Sequence, residues 1–259
     1  MNTAPNLVGL SSLRHIEAAC SIVVETIEMV GNRVVPGITT AELDALAEDY
    51  IRSRGGEPAF KGYKGFPNSL CISVEDEVVH GIPSAGRILR EGEIVSIDCG
   101  VKLHGYFGDA ARTYPVGIIS AEKQRLLDVT EESLKLGAAQ AIARNKVYDI
   151  SRTVQGFVEK NGFSVVRELT GHGVGKRLHE DPSIPNFVPP LLYRAHYPNT
   201  KLQRGQTLAI EPMVNAGTYH VYTADDGWTI FTEDGKPSAH FEYTVLVEEG
   251  KSINLTQFS

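Results

Sequence analysis

The sequence predicts one mixed α/β domain, and three observations lead there. Apolar residues recur at helical spacing in four stretches, and strand-like runs rich in Val and Ile lie between them. The 259 residues suffice for one large domain with a sizeable core. No linker-like tract, short-period repeat or low-complexity segment divides the chain, so residues 1–259 read as a single unit. Residues 1–11 are expected to form an N-terminal arm, and residues 183–202 an irregular surface insertion.

Residues 12–35 read as an amphipathic helix with Leu13, Ile16, Cys20, Val23, Val24 and Ile27 on its apolar side, stopped by Pro36-Gly37. Thr39 and Glu42 have capping-box spacing for a second helix. Its stripe is Leu43, Leu46, Ala47, Tyr50 and Ile51, and Gly55-Gly56 ends it. A glycine- and aromatic-rich loop covers 60–68, and a strand covers 70–74. Strands 93–101 and 106–114 flank His104-Gly105. If that is a two-residue turn, Leu103 faces Tyr106 and Asp98 faces Ala111. Asp109 is then the diagonal neighbour of Asp98 on the same face, roughly 7–8 Å away at the backbone. A slip of one residue would turn one of the two carboxylates to the other face. Helices are predicted over 121–142 and 149–160, the latter closed by Asn161-Gly162, with a short strand over 163–167. Pro182, Pro185, Pro189, Pro190 and Pro198 predict an irregular excursion over 182–200. Strands follow over 206–214, 229–231 and 240–247.

The net charge of −7 argues against a general nucleic-acid or anionic-membrane binder. Cys20, Cys71 and Cys99 are too scattered for a disulfide framework and form no CxxC pair, which suits a reducing cytoplasmic setting. The first residues lack a basic region followed by an apolar run, and no stretch approaches membrane-spanning length.

The candidate chemistry lies in five residues. Asp98 follows Ser96-Ile97, Glu211 follows Leu208-Ala209-Ile210, and Glu242 sits between Phe241 and Tyr243. Strands disfavour Asp, and a buried carboxylate needs a partner or an ion. One such residue could be an edge-protecting charge, but three in apolar strand contexts are harder to dismiss. Asp109 lies in Gly108-Asp109-Ala110, and His172 in Gly171-His172-Gly173-Val174-Gly175. The latter loop is not a phosphate loop: Thr170 and Arg177 break the P-loop pattern, and Lys176 breaks the dinucleotide pattern. His179-Glu180 is not a zincin motif, because Ser183 stands where the second His is required. Four carboxylates and one imidazole form a hard, oxygen-rich set, large enough for two divalent cations that would ionise a water beside a polarised carbonyl. That points to a hydrolase. His80 ends an apolar strand at a turn and gains interest only from this company. His15, His104, His196 and His220 lack comparable context, and Arg112 and Lys176 read as solvated charges or as partners of the carboxylates.

In order and spacing, these motifs resemble type I methionine aminopeptidases, metal-dependent enzymes with the pita-bread fold. The blocks are Cys71-Ile-Ser-Val-Glu-Asp-Glu-Val-Val-His80-Gly-Ile-Pro83, Ser96-Ile-Asp98, Gly108-Asp109, Gly171-His-Gly-Val-Gly175 with His179-Glu-Asp-Pro182, Ile210-Glu-Pro-Met-Val-Asn-Ala-Gly217, Asp226-Gly-Trp-Thr229 and Phe241-Glu-Tyr-Thr244. The resemblance runs from about Arg14 to about Ile253. It implies a pseudo-twofold antiparallel sheet covered by helices, and removal of N-terminal methionine before a small second residue. It further implies that Asp98 chelates one cation, Asp109 and Glu242 bridge two, and His172 and Glu211 complete the second. The ions would be Co2+, Mn2+, Fe2+ or Zn2+. Glu211 would move the proton of the attacking water, and His80 and His179 would contact substrate and stabilise the tetrahedral intermediate. Tyr63, Phe66, Cys71 and Trp228 would line the methionine pocket, for which apolar and sulfur-bearing groups are suited. Because His172 must be neutral to ligate, activity is expected to fall as pH drops through its titration. The chain departs from bacterial relatives at Phe60 and Phe66, where Cys and Tyr are frequent, and it lacks a zinc-finger extension. Implied partners are peptides and nascent chains, with a transient ribosome contact, in a monomer that binds neither membrane nor nucleic acid stably. Two rivals stay open: an Xaa-Pro aminopeptidase or prolidase of the same fold, which usually carries an extra N-terminal domain, and a pita-bread protein that binds without catalysis.

Overall fold

The structure is a computed structural model that describes residues 7–258. Helices α1 (Leu10–Gly31) and α2 (Thr40–Ser53) lead into β1 (Glu57–Pro58), β2 (Leu70–Val74) and β3 (Glu77–Val79). The long hairpin β4 (Ile94–Leu103) and β5 (Tyr106–Pro115) completes the first half. Helices α3 (Ala121–Ala138) and α4 (Val147–Lys160) open the second. There follow β6 (Ser164–Val165), β7 (Thr170–Gly173), β8 (Glu180–Pro185), β9 (Thr207–Ile210) and β10 (Met213–Asn215). The last strands are β11 (Val221–Thr223), β12 (Ile230–Thr232), β13 (Ser238–His240), β14 (Tyr243–Val247) and β15 (Ser252–Asn254).

Both halves follow one plan, two helices over antiparallel strands. In the first, β1, β4 and β2 pair in that order with β5 on β4, and α1 and α2 bury Ile22, Ile27, Leu43 and Ile51 against Ile72, Val95 and Ile97. In the second, the order is β15-β14-β9-β7-β8, and α3 and α4 bury Leu134, Ile150 and Val154 against Leu208 and Val245. The two plans meet where Glu242 bridges Ala111 of β5 and its N–H donates to the Ala111 carbonyl at 2.9 Å. Thr244 strengthens this seam: its hydroxyl donates to the Asp109 carbonyl at 2.7 Å. Among the described residues no helix is long and apolar enough to cross a membrane.

Local chemistry explains the helix ends. The Thr39 side chain accepts from the Glu42 N–H while the Glu42 carboxylate accepts from the Thr39 N–H, the capping box expected from the sequence. α4 begins two residues before the expected Asp149 because that carboxylate accepts from the Lys146 N–H at 2.8 Å. α1 and α3 stop at Gly31 and Ala138, short of the expected 35 and 142. A side chain at 31 would collide with the Tyr114 ring.

The strands differ from expectation in two ways. The runs 206–214 and 240–247 are each broken, at Glu211-Pro212 and at Phe241-Glu242. In both places the ladder is interrupted where a carboxylate turns toward the centre of the molecule. Conversely, β8 runs through Pro182 to Pro185, so the irregular excursion begins only after it. β8 is the edge of its sheet, where a missing N–H leaves no ladder bond unmade. The remainder of that excursion carries a short 3-10 turn, Leu191–Tyr193, whose leucines are exposed. Of the expected arm at 1–11, residues 1–6 lie outside the described residues.

Candidate active site

The hairpin register is the one the sequence implies. Leu103 pairs with Tyr106, Asp98 with Ala111, and Asp109 with Gly100, so the two carboxylates are diagonal neighbours on one face. His104 and Gly105 both have positive φ, which a tight two-residue hairpin turn demands. Asp109 is buried, and on the other side of β5 α1 crosses at Gly108, where a Cβ would lie 2.7 Å from the Cys20 nitrogen.

His172 sits in β7 between glycines for a related reason. A Cβ at 171 would run into the Ala209 carbonyl oxygen, and one at 173 into that of Asp181. Only bare backbone lets β7 lie this tightly between β9 and β8. The His172 Nδ1 lies 2.9 Å from the Gly173 carbonyl, which fixes Nδ1 as the donor and leaves the Nε2 lone pair facing the carboxylates. That Nε2 is 3.6 Å from Glu211 Oε1 and 3.9 Å from Asp109 Oδ2.

Asp98, Asp109, His172, Glu211 and Glu242 line one cavity together with His80, His179, Tyr63, Phe66, Cys71 and Trp228, whereas Arg112 and Lys176 are not among its lining residues. Asp109, His172 and Glu242 each bring a ligating atom within 4.8 Å of the others. Asp98 and Glu211 stand outside that tightest group. Among the described residues no lysine or arginine pairs with any of the four acids. Asp98 Oδ1, Asp109 Oδ1 and Glu242 Oε1 are buried without a hydrogen-bond partner. Unpaired buried carboxylate oxygens are costly, and a divalent cation is what such a donor set fits.

The protonation pattern follows from that crowding. Burial pushes Asp98 up to about 8, and burial plus mutual repulsion pushes Asp109, Glu211 and Glu242 well above the usual carboxylate range. Burial lowers His172 to about 4, with a small opposing contribution from its Gly173 contact. Burial also lowers His179 to about 3, helped by His172, Lys64 and His80, and it lowers His80. All three imidazoles are therefore neutral near pH 7.

The apolar end of the cavity is held by separate devices. Asp226 Oδ1 accepts from the N–H groups of Trp228 and Thr229, which fixes the turn carrying the indole. Trp228 meets Phe66 edge to face at 5.2 Å between ring centroids. Asp44 accepts from the Ser69 and Leu70 N–H groups, anchoring the loop that carries Phe66 into β2. Tyr63 stacks on His179 at 5.3 Å, at the exposed mouth. Phe60, Lys64 and Leu178 also line the cavity. Lys64 carries no signal in the sequence, where it reads as an exposed lysine in a loop. His240, absent from the residues that the sequence motifs point to, also backs the cavity. It is buried, its Nε2 lies 3.7 Å from Glu211 Oε2, and burial, then the nearby His80, lowers it to about 3. Its position two residues before Glu242, on the same face of an extended stretch, is the available signal.

Helices over a two-fold plan of antiparallel strands, closing on a carboxylate-rich cavity, define a metallopeptidase frame. The family model "Metallopeptidase family M24" matches residues 14–249. Methionine aminopeptidases from Clostridium perfringens and Bacillus subtilis are 52% and 51% identical to the chain, over 88% of it and 89% of their own lengths. The crystal structure of methionine aminopeptidase from Thermotoga maritima superposes with a TM-score of 0.93 at 38% identity, covering 98% of this chain and 100% of that one. The chain belongs to metallopeptidase family M24 and, within it, to the methionine aminopeptidases. Its fold is the pita-bread fold. Prolidase from Pyrococcus furiosus shares that fold at 22% identity, with a TM-score of 0.79 and 66% of its chain covered.

Proposed function

We propose that the chain removes an N-terminal methionine from peptides and nascent proteins, with preference for a small second residue. The observation that carries this reading is the cage of Asp98, Asp109, His172, Glu211 and Glu242 with its orphaned buried oxygens, set beside an aromatic and thiol-lined pocket. Asp98 would chelate one divalent cation, Asp109 and Glu242 would bridge two, and His172 and Glu211 would complete the second. When bound, Co2+, Mn2+, Fe2+ or Zn2+ would acidify a water and polarise the scissile carbonyl.

The chain's own residues do the rest. Tyr63, Phe66, Cys71 and Trp228 receive the unbranched thioether side chain, whose flexibility and polarizability suit rings and sulfur. Glu211 takes the proton of the attacking water and returns one to the leaving nitrogen. Neutral His80 and His179 contact the substrate, an imidazole N–H donating to the scissile carbonyl oxygen and an imidazole lone pair accepting from a neighbouring peptide N–H, and loss of a donor to that oxygen costs roughly 100- to 1,000-fold in turnover. The whole chain acts as one catalytic domain and a monomer in the cytoplasm, meeting its substrates at or near the ribosome.

The test is hydrolysis of Met-Ala-Ser against Xaa-Pro peptides after reconstitution with each ion. Release of methionine from the former alone supports the reading. A preference for bonds to proline, or no hydrolysis by metal-loaded protein, overturns it.

A further inference from the structure

Glu211 faces two imidazoles, one on each oxygen. Oε1 is 3.6 Å from His172 Nε2, and Oε2 is 3.7 Å from His240 Nε2. Only His172 is accounted for by the proposed chemistry. His240 is 1% exposed, and its Nε2 is buried with no hydrogen-bond partner, although it points at the acid on which the proposed reaction turns.

The placement of His240 is built. Its N–H donates to the Thr113 hydroxyl at 2.9 Å, and that hydroxyl donates to the His240 carbonyl at 2.8 Å. The residue is thus clamped to β5 from both sides of its peptide unit. On its other flank, β13 pairs with β10 so that His240 lies opposite Met213, two residues beyond Glu211. A clamped backbone leaves the ring little freedom to turn away.

We propose that His240 is a positioning residue: its Nε2–H holds the Oε2 oxygen of Glu211 and so presents Oε1 to the cation that His172 would share. This rests on the function proposed above. Glu211 is repelled by Asp98, Asp109 and Glu242, and needs a donor to fix its rotamer. A lysine or arginine would supply one but would compete electrostatically with a cation. A neutral imidazole donates without adding charge, and such outer partners commonly set ligand orientation and metal affinity. His240 and His172 would then carry opposite tautomers, with the proton on Nε2 in one and on Nδ1 in the other.

The test uses full-length His240→Leu and His240→Gln, Gln keeping an N–H donor that reaches. Three readouts apply: Mn2+ affinity of each site by calorimetry, kcat and KM on Met-Ala-Ser, and 15N shifts of the histidine side chains. His240→Leu is expected to weaken one ion by about 10- to 100-fold and spare the other. It should lower kcat with KM within about twofold, and His240→Gln should restore most of both. The wild-type spectrum should show a protonated Nε2 on His240. Unchanged affinity and kcat in a folded His240→Leu protein, or a His240→Gln protein no better than it, would overturn the proposal. If His240→Leu does not fold, the tautomer in the wild type and the affinity of His240→Gln decide, an unprotonated Nε2 or a Gln variant that binds weakly standing against it. Wild-type protein that binds no cation defeats the proposed function itself, whereas wild-type binding with indifferent variants defeats only the role of His240.

Discussion

Loading the metal-free protein with cations should expel protons, and the count should depend steeply on pH. Asp98 is held near 8 by burial. A group at about 8 is largely protonated at pH 7, and a ligand must be deprotonated to bind, so Asp98 and the acids coupled to it release on the order of one proton or more per protein. At pH 9 the release is smaller, because Asp98 is then largely ionised before the cation binds. Asp109, Glu211 and Glu242 are displaced in the same direction and add to the total, titrating as a coupled set rather than one by one. Calorimetric titration of Mn2+ in buffers of different ionisation enthalpy gives the count as a slope. Asp98→Asn should lower it by about one at pH 7, which separates the carboxylate from ionisation of bound water. The same shift has a stability consequence. A group whose folded pKa is raised stabilises the fold below its unfolded value and loses that contribution as pH rises through the folded one. The metal-free fold should therefore weaken between about pH 4 and about pH 8, and the gain in Tm on loading should widen over that range. A zero slope at pH 7, or a count that Asp98→Asn leaves unchanged, would refute this reasoning.

Asp109→Ala should abolish turnover and lower metal content in atomic absorption, since Asp109 lies in the tightest group of ligating atoms; a folded variant with near-normal turnover would contradict a bridging role. Gly171→Ala should displace β7 from β9, costing about 1–3 kcal/mol in urea unfolding and reducing bound metal, because its Cβ meets the Ala209 carbonyl. Thr39→Ala removes half of a formed capping box and should cost about 1 kcal/mol in the same assay without altering kcat, as α2's start lies away from the cavity.

The hairpin that carries Asp98 and Asp109 was legible because its signals are local. A two-residue turn fixes the register, and the period of two then puts both acids on one face. The helices were legible from their stripes, and the start of α4 moved because the Asp149 carboxylate caps the Lys146 N–H. What stayed hidden was tertiary. Glu211 and Glu242 sit in stretches that look like continuous strand, and only the approach of the two halves explains why the backbone breaks there. The prolines of β8 read as loop because its edge position is not written in its own residues. The spacing of His240 from Glu242 marks it as a residue near the site, but only the tertiary structure shows that it faces Glu211, which precedes it by 29 positions.

The most direct test is anomalous diffraction from crystals grown with Mn2+. Two strong peaks enclosed by Asp98, Asp109, His172, Glu211 and Glu242 are expected. An empty cage with manganese bound only at the surface would contradict a metal-dependent mechanism.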